Sequence, residues 1–461
     1  MSALIVTGLI CGLIFLTALK RPQWGVLAIA ALVPFHGLLI IAPVALSLWK
    51  EAAVLAVAVA ALLASRARDR ATVAPWLAPA AVLVLYGVIS AVWVLRTNAG
   101  FPIKIAFFYL LVAVIVYYHP FTRRDKDHLV TILLTTGTLS ALFGLAQQVL
   151  GGERLVEMGY DWNESLRTTG PLLRSFGTFN QPFPFGLYLM LVLVVVGTVA
   201  LSQPGRLRSR IFWLLSPVLV AAMLSSVVRA AFVGLIVAVF VVGVIIHRRL
   251  LIYAGILLAA VLVAIPFAVA VDQRGVLAAL FSSSSLEDRG GHWAATLPRM
   301  LVRPLGDGLG TTGSAAEKVL EAFYPRTGLY QPDNQYLKVG LELGVLGLAL
   351  YAVTIGMAIV VLRRVIRVVR DPLEQGVAAG VLAATAAACV AAAFSTYLEI
   401  FPMDFFFWFL LAVAASLPRE EARAVGGWRR ERNPERRARQ ERREALGEVR
   451  RGRTYVPMIR P

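Results

Sequence analysis

The sequence predicts an all-α, polytopic integral membrane protein with about 12–13 transmembrane helices and a long outer-face connection that contains short helices. Three observations carry this. Of 461 residues, 58% are hydrophobic and only 16% are charged, against about 25% charged in water-soluble globular proteins. Apolar stretches close to the roughly 17–25 residues that cross a bilayer recur along the chain. Basic residues cluster in alternate connections between those stretches. The same composition excludes disordered, collagen-like and disulfide-scaffold classes. Cys11 and Cys389 both sit inside apolar runs, which leaves neither a disulfide framework nor a cysteine-based metal site.

Thirteen spans are expected, near 3–19, 25–46, 51–64, 74–95, 103–118, 129–150, 184–201, 211–225, 230–246, 250–271, 334–362, 376–395 and 404–417. The first reads as a retained helix and not as a cleaved leader, because Lys20 and Arg21 follow its apolar run instead of preceding it. If the spans alternate, Lys20/Arg21, Arg66/Arg68/Arg70, Arg123/Arg124/Lys126, Arg206/Arg208/Arg210, Arg248/Arg249 and Arg363/Arg364/Arg367/Arg370 share one side. The positive-inside bias makes that side cytoplasmic. The C-terminus is therefore expected in the cytoplasm and the connections 151–183 and 272–333 on the outer face.

Three regions follow: N-terminal transmembrane helices over 1–150, a membrane domain over 151–417 that includes the outer loop at about 272–333, and a basic cytoplasmic tail over 418–461. The loop is too long to be structureless in a compact protein. It opens on Ser282–Ser285, and Leu286, Trp293, Leu297, Met300 and Leu301 then recur at helical spacing until Pro304. The tail holds fourteen Arg and seven Glu, the composition of a solvated or membrane-surface helix.

Polar residues in or at the mouth of membrane helices are costly and therefore informative. In Gln331–Gly347, Asp333 is expected to cap the following helix, and Asn334, Lys338 and Glu342 share one face at i, i+4 and i+8. The plainer reading is that Asp333 only caps, Lys338 pairs with Glu342, and Gly340, Gly344 and Gly347 admit a neighbouring helix. In Ser225–Ala231, Arg229 stands at a tight corner without an acidic neighbour, either snorkelling or awaiting an anion that a guanidinium binds bidentately. Arg289 and Trp293 lie on the expected loop helix, and the glycine-rich Arg303–Gly310 turn offers backbone amides to a ligand. Gly308-x-Gly310-x-x-Gly313 matches a dinucleotide fingerprint in form only, because no strand precedes it. Arg174, Asn180 and Gln181 stand among aromatic residues in 151–183, an arrangement suited to sugars and equally to an interfacial belt. Asp125-Lys126-Asp127 reads as a solvated charge run, and the histidines show no ligand spacing, so no metal and no cofactor is expected.

In order along the chain, Gly177-Thr178-Phe179-Asn180, Ser226-Val227-Val228-Arg229-Ala230, Arg289-x-x-x-Trp293, Arg303–Gly310, Asp333-Asn334-x-x-Leu337 and Glu342-x-Gly344-x-x-Gly347 resemble the O-antigen ligase and polymerase superfamily of bacterial envelope enzymes. The resemblance covers about 170–415. It implies a glycosyltransferase of cell-surface polysaccharide biosynthesis that takes a glycan from an undecaprenyl-diphosphate carrier and transfers it to a glycan, lipid or protein acceptor within the lipid bilayer, with no nucleic acid partner. It also implies that arginines at the positions of Arg229 and Arg289 engage the diphosphate. A histidine that opens the post-loop helix accompanies ligase chemistry in the family; here the position is Asp333, a departure that leaves room for a polymerase or a ligase to another acceptor.

The chemistry needs a neutralised leaving group, for which Arg229, Arg289, Arg303 and Arg174 serve without a metal. It also needs a base, for which Asp333 is the candidate. The remaining candidate substrate-binding residues are Asn180, Gln181, Trp293, Asn334, Lys338 and Glu342. The alternative is a secondary transporter or channel for a small anion; the hydropathy shows no obvious inverted repeat or matching pair of broken spans to support it.

Overall fold

The computed structural model describes residues 2–41, 48–64, 74–169, 172–246, 248–252, 254–256, 259, 284–320 and 332–415. Long apolar runs without acidic or proline interruptions become helices because only a helix satisfies its own backbone in lipid. The helices used below are α1 (Ser2–Lys20), α2 (Pro22–Leu32), α3 (His36–Ile40), α4 (Trp49–Ala64), α5 (Leu77–Leu95), α6 (Gly100–Phe107), α7 (Leu110–Tyr118), α8 (Arg123–Glu157) and α9 (Glu164–Arg167). They continue with α10 (Pro182–Ser202), α11 (Leu207–Ser225), α12 (Arg229–Ile245), α13 (Ser284–Val302), α14 (Gly313–Leu320), α15 (Gln335–Val368), α16 (Pro372–Ala391) and α17 (Met403–Ala415). One two-residue ladder, β1 (Thr168–Thr169) against β2 (Leu172–Leu173), interrupts an otherwise all-α polytopic architecture.

Among the described residues, seven helical segments are long and apolar enough to cross a membrane, and Leu4–Lys20, Arg229–Ile245 and Met403–Ala415 are shorter apolar helices. The span expected at 51–64 is a helix of 16 residues, Trp49–Ala64, and the one at 103–118 is divided between α6 and α7. Pro34, in a 3-10 turn, lies within the spanning segment Pro22–Ile40. Most of the span expected at 250–271 and the whole tail 418–461 lie outside the described residues.

α10 is the centre of the bundle. It is apolar on every face and buried along almost its whole length, as a helix surrounded by others must be. α8, α11, α12 and α16 surround it. α16 comes closest because it is built of alanine and glycine: a Cβ on Gly376 or Gly380 would lie 3.0 Å from the Cα of Val199 or Val195. Small residues give such contacts where no hydrophobic effect drives helices together.

Asp125-Lys126-Asp127 is not the solvated run that its charge implies. Asp125 completes a capping box with Thr122 at the start of α8 and pairs with Arg21 at 3.0 Å. Lys126 pairs with Glu374 at 3.3 Å, both side chains buried, and Asp127 pairs with Arg208 at 3.0 Å. The sequence places these partners up to about 250 positions away, so only folding reveals them.

A buried pair that loses one member leaves an uncompensated charge. Lys126→Met is therefore expected to lower stability by about 3–5 kcal/mol, and Lys126→Met with Glu374→Leu to recover most of it. Unfolding in detergent micelles followed by circular dichroism checks both.

Candidate functional site

The connection after α8 is held by α8 itself. The Gln147 Oε1 accepts from the backbone N–H of Phe176 and of Gly177, each at 2.9 Å, and its Nε2 donates to the Gly177 carbonyl. Gly177 has φ +54, and a Cβ there would lie 2.4 Å from the Phe185 ring, so the turn needs glycine. The Thr178 hydroxyl donates to the Pro34 carbonyl at 2.5 Å. Asn180 is half-buried and Gln181 exposed immediately before α10.

This fixed turn meets the corner between α11 and α12. Ser175 N–H donates to the Ser225 carbonyl at 2.9 Å, and Arg174 Nε donates to the Ser226 carbonyl at 3.3 Å. Val227 is held at φ +56, a left-handed conformation that strains a β-branched residue. The Ser226 hydroxyl, which donates to the Met223 carbonyl at 2.6 Å, and the packing of Val228 over Gly186 hold the corner. Arg229 is then the first residue of α12. Burial lowers the pKa of Arg174, and the nearby charge of Arg229 lowers it further. Two guanidinium groups from separate segments are thus brought within each other's field. Arg167, upstream, is buried with its guanidinium 3.9 Å from the centre of the Phe176 ring, a cation–π contact that also anchors this connection.

The outer loop ends in α13. Arg289 lies on this helix, its side chain outside the described residues. Trp293 is half-buried, 6.2 Å from the Phe394 ring, and Met300 packs on Leu337 and Leu341. Arg303 is exposed and paired with Asp307, whose hydrogen bond and charge raise its pKa.

The glycine turn does not offer its amides to a ligand. Asp307 N–H donates to the Leu341 carbonyl at 2.8 Å, Gly308 N–H to the Glu342 carbonyl at 2.9 Å, and Leu309 N–H to the Ser90 hydroxyl at 3.3 Å. The acceptors exist because α15 is broken at Gly344, with φ +64 and ψ −167. Val345 N–H completes the joint by donating to the Pro304 carbonyl at 3.0 Å. Gly344 therefore serves a break and not the close packing of a neighbouring helix that its spacing implied.

Asn334, and not Asp333, caps α15: its side chain accepts from Tyr336 and Leu337 N–H at 2.9 and 3.1 Å. Asp333 stands exposed just ahead of the cap. On the first part of α15, Lys338 lies 3.2 Å from Glu342 and also pairs with Glu399 from the connection before α17. All three side chains are buried. Glu342 further accepts from the Thr312 hydroxyl at 2.9 Å. Lys338, Glu342 and Glu399 border a small pocket of about 40 Å³, room for a water molecule or two.

Sequence reading missed Glu399. Its signal is an acidic residue between two apolar runs without a basic neighbour, the mirror of what singled out Arg229. It also missed a second polar group in the N-terminal spans. Lys104 pairs with Glu51 at 2.9 Å, Lys50 lies 4.1 Å from the centre of the Phe401 ring, and His36 packs edge-on against the same ring. Thr178 with Pro34, His36 with Phe401 and Glu399 with Lys338 make one line of contacts from the arginine corner to the glutamate–lysine group. Among the described residues, no three His, Cys, Asp or Glu side chains converge as metal ligands would.

A Cβ on Gly344 would lie 2.0 Å from the Pro304 carbonyl oxygen in a left-handed conformation. Gly344→Ala is expected to cost about 2–5 kcal/mol from clash and strain together. Gly356→Ala on the same helix meets open space and should be neutral; detergent-melt midpoints of the two variants test the contrast.

No curated protein matches the chain. Residues 211–352 match the family model described as O-antigen ligase. That segment, about a third of the chain, runs from α11 through Arg229, the outer loop and the broken first part of α15, and its match supports the resemblance to the O-antigen ligase/polymerase superfamily.

Proposed function

We propose that this O-antigen ligase-type membrane enzyme transfers a glycan from an undecaprenyl-diphosphate carrier to an acceptor hydroxyl at the outer face of the bacterial inner membrane. The observation that carries the reading is the approach of Arg174 to Arg229. Two guanidinium groups within each other's field favour an anion between them. A diphosphate accepts paired hydrogen bonds from both guanidinium forks, and the family resemblance adds Arg289 as a third arginine.

The reaction breaks the bond between the anomeric carbon and the diphosphate oxygen, whose electron pair leaves with the phosphate. The acceptor oxygen forms the new bond to that carbon from the opposite face and inverts its configuration. Its proton passes to Asp333. Asn334 performs the capping, and Asp333 stands exposed just ahead of it. The arginines stabilise charge that grows on the leaving group, the largest single contribution in sites of this kind. Lys338 and Glu342 hold the helix that carries Asp333 and are substrate-binding through that scaffold. Trp293, Asn180 and Gln181 supply stacking and hydrogen bonds to sugars.

The break in α15 favours a second reading, transport of a small anion, because transporters place ligands at broken helices. Against it, the break is filled by Pro304, Asp307 and Gly308 from the same chain.

Membranes supplied with lipid-linked donor test both roles. Arg229→Ala is expected to lower kcat by about 10²–10³, as loss of a charge-stabilising donor does, with partial recovery in Arg229→Lys. Asp333→Asn and Asp333→Ala are expected to lose about 10²–10⁴; full transfer by both variants removes Asp333 as the base.

A further inference from the structure

α13 has two unlike faces. Trp293, Thr296 and Met300 turn inward, Thr296 and Met300 buried and Met300 against Leu337 and Leu341. Leu297, Leu301, Val302 and, just beyond the helix, Leu305 turn outward, with Leu301 76%, Val302 79% and Leu305 64% exposed. Four large apolar side chains in one stripe do not stand in water without a partner. Sequence reading assigned this region to the outer-face loop, as one of its short helices.

The neighbours of the stripe identify what covers it. The Leu305 carbonyl accepts from the Tyr86 hydroxyl at 2.8 Å, Leu309 N–H reaches Ser90, and Gly308 sits against Val94. The turn therefore runs beside the last three turns of α5. α5 belongs to a 31-residue apolar segment long enough to cross a membrane. Its exposed residues Leu85, Ile89, Val92 and Trp93 recur at helical spacing on a single face, the face a spanning helix turns to lipid. On the other side, Pro304 is joined to Val345, and Val345 and Leu346 are exposed too. The stripe is thus continuous with lipid-facing surface on α5 and on α15. The backbone of the turn meets the condition for lying at that depth, since its N–H groups are taken up by the broken helix and by Ser90. Arg299 is exposed between the apolar residues, with a side chain long enough to reach headgroup phosphates.

We infer that the stripe Leu297, Leu301, Val302 and Leu305 is embedded in the lipid leaflet and that its occupant is the acyl hydrocarbon of bilayer phospholipids. α13 is then an interfacial helix, one face in lipid and the other on the first part of α15. The inference stands on packing and exposure alone and does not depend on the proposed reaction.

Nitroxide labels test it in the full-length protein, with Cys11→Ser and Cys389→Ser, reconstituted in phosphatidylethanolamine–phosphatidylglycerol liposomes. Labels are placed singly by Leu301→Cys and Leu305→Cys, with Val92→Cys on α5 as the lipid reference and Glu164→Cys, exposed in the connection 151–183, as the aqueous reference. Power saturation measures collision with oxygen, which partitions into lipid, and with a water-soluble nickel chelate. The expected result is oxygen-dominated relaxation at Leu301 and Leu305, equal in sign to Val92 and opposite to Glu164. Nickel-dominated relaxation at either of the two sites, matching Glu164, overturns the inference. Labelling at these exposed positions leaves the core intact, and both readings are independent of whether the protein turns over substrate.

Discussion

A helix that breaks inside an apolar segment exposes carbonyl and amide groups that lipid cannot satisfy, and each such group costs several kcal/mol. The break at Gly344 is tolerated because Pro304, Asp307 and Gly308 supply the missing partners. That joint fixes the rest of the site. It ties the end of the outer loop to the first part of α15, so α13 is seated through Met300, and the Thr312 hydroxyl meets Glu342. The free end of the same short helix is secured to the connection before α17: Gln335 N–H donates to the Ala392 carbonyl at 2.8 Å, and Lys338 bridges to Glu399. Asp333 and Asn334 are consequently presented from a support restrained at both ends.

Charge is used in two opposite ways. Where the fold is being tied together, opposite charges meet: Asp125 with Arg21, Lys126 with Glu374, Arg208 with Asp127, and Lys338 between two glutamates. At the corner of α11 and α12 the pattern reverses, and two arginines approach one another beside a strained Val227. Strain and like-charge proximity coincide at this corner. Arg303, by contrast, has Asp307 beside it and is correspondingly less available to an anion.

The all-α membrane architecture was legible because apolar length and loop charge are one-dimensional signals. Arg229 drew notice because no acidic residue lies near it in the sequence. Other features depend on contacts across long separations. The Asp125–Asp127 run looked solvated because Arg21, Glu374 and Arg208 are distant in sequence. Asn334 displaced Asp333 as the cap because either residue type suits that position, and only the backbone decides which one occupies it. The glycines at 306, 308 and 344 signalled unusual backbone, yet their purpose, one turn filling the gap in another helix, is a property of two segments at once. Glu399 and the Lys50, Glu51 and Lys104 group lay in stretches whose apolar character drew attention away from single charges.

The central claim is that Arg174 and Arg229 form a diphosphate site. The most direct measurement is equilibrium binding of undecaprenyl diphosphate to the purified protein in nanodiscs, with undecaprenol as the uncharged control, for the native sequence and for Arg174→Ala and Arg229→Ala. Hydrogen bonds to charged groups contribute about 1.5–3 kcal/mol each, so each substitution is predicted to weaken diphosphate binding roughly 10- to 100-fold and to leave undecaprenol binding unchanged. Native affinity for the diphosphate in both variants would contradict the claim.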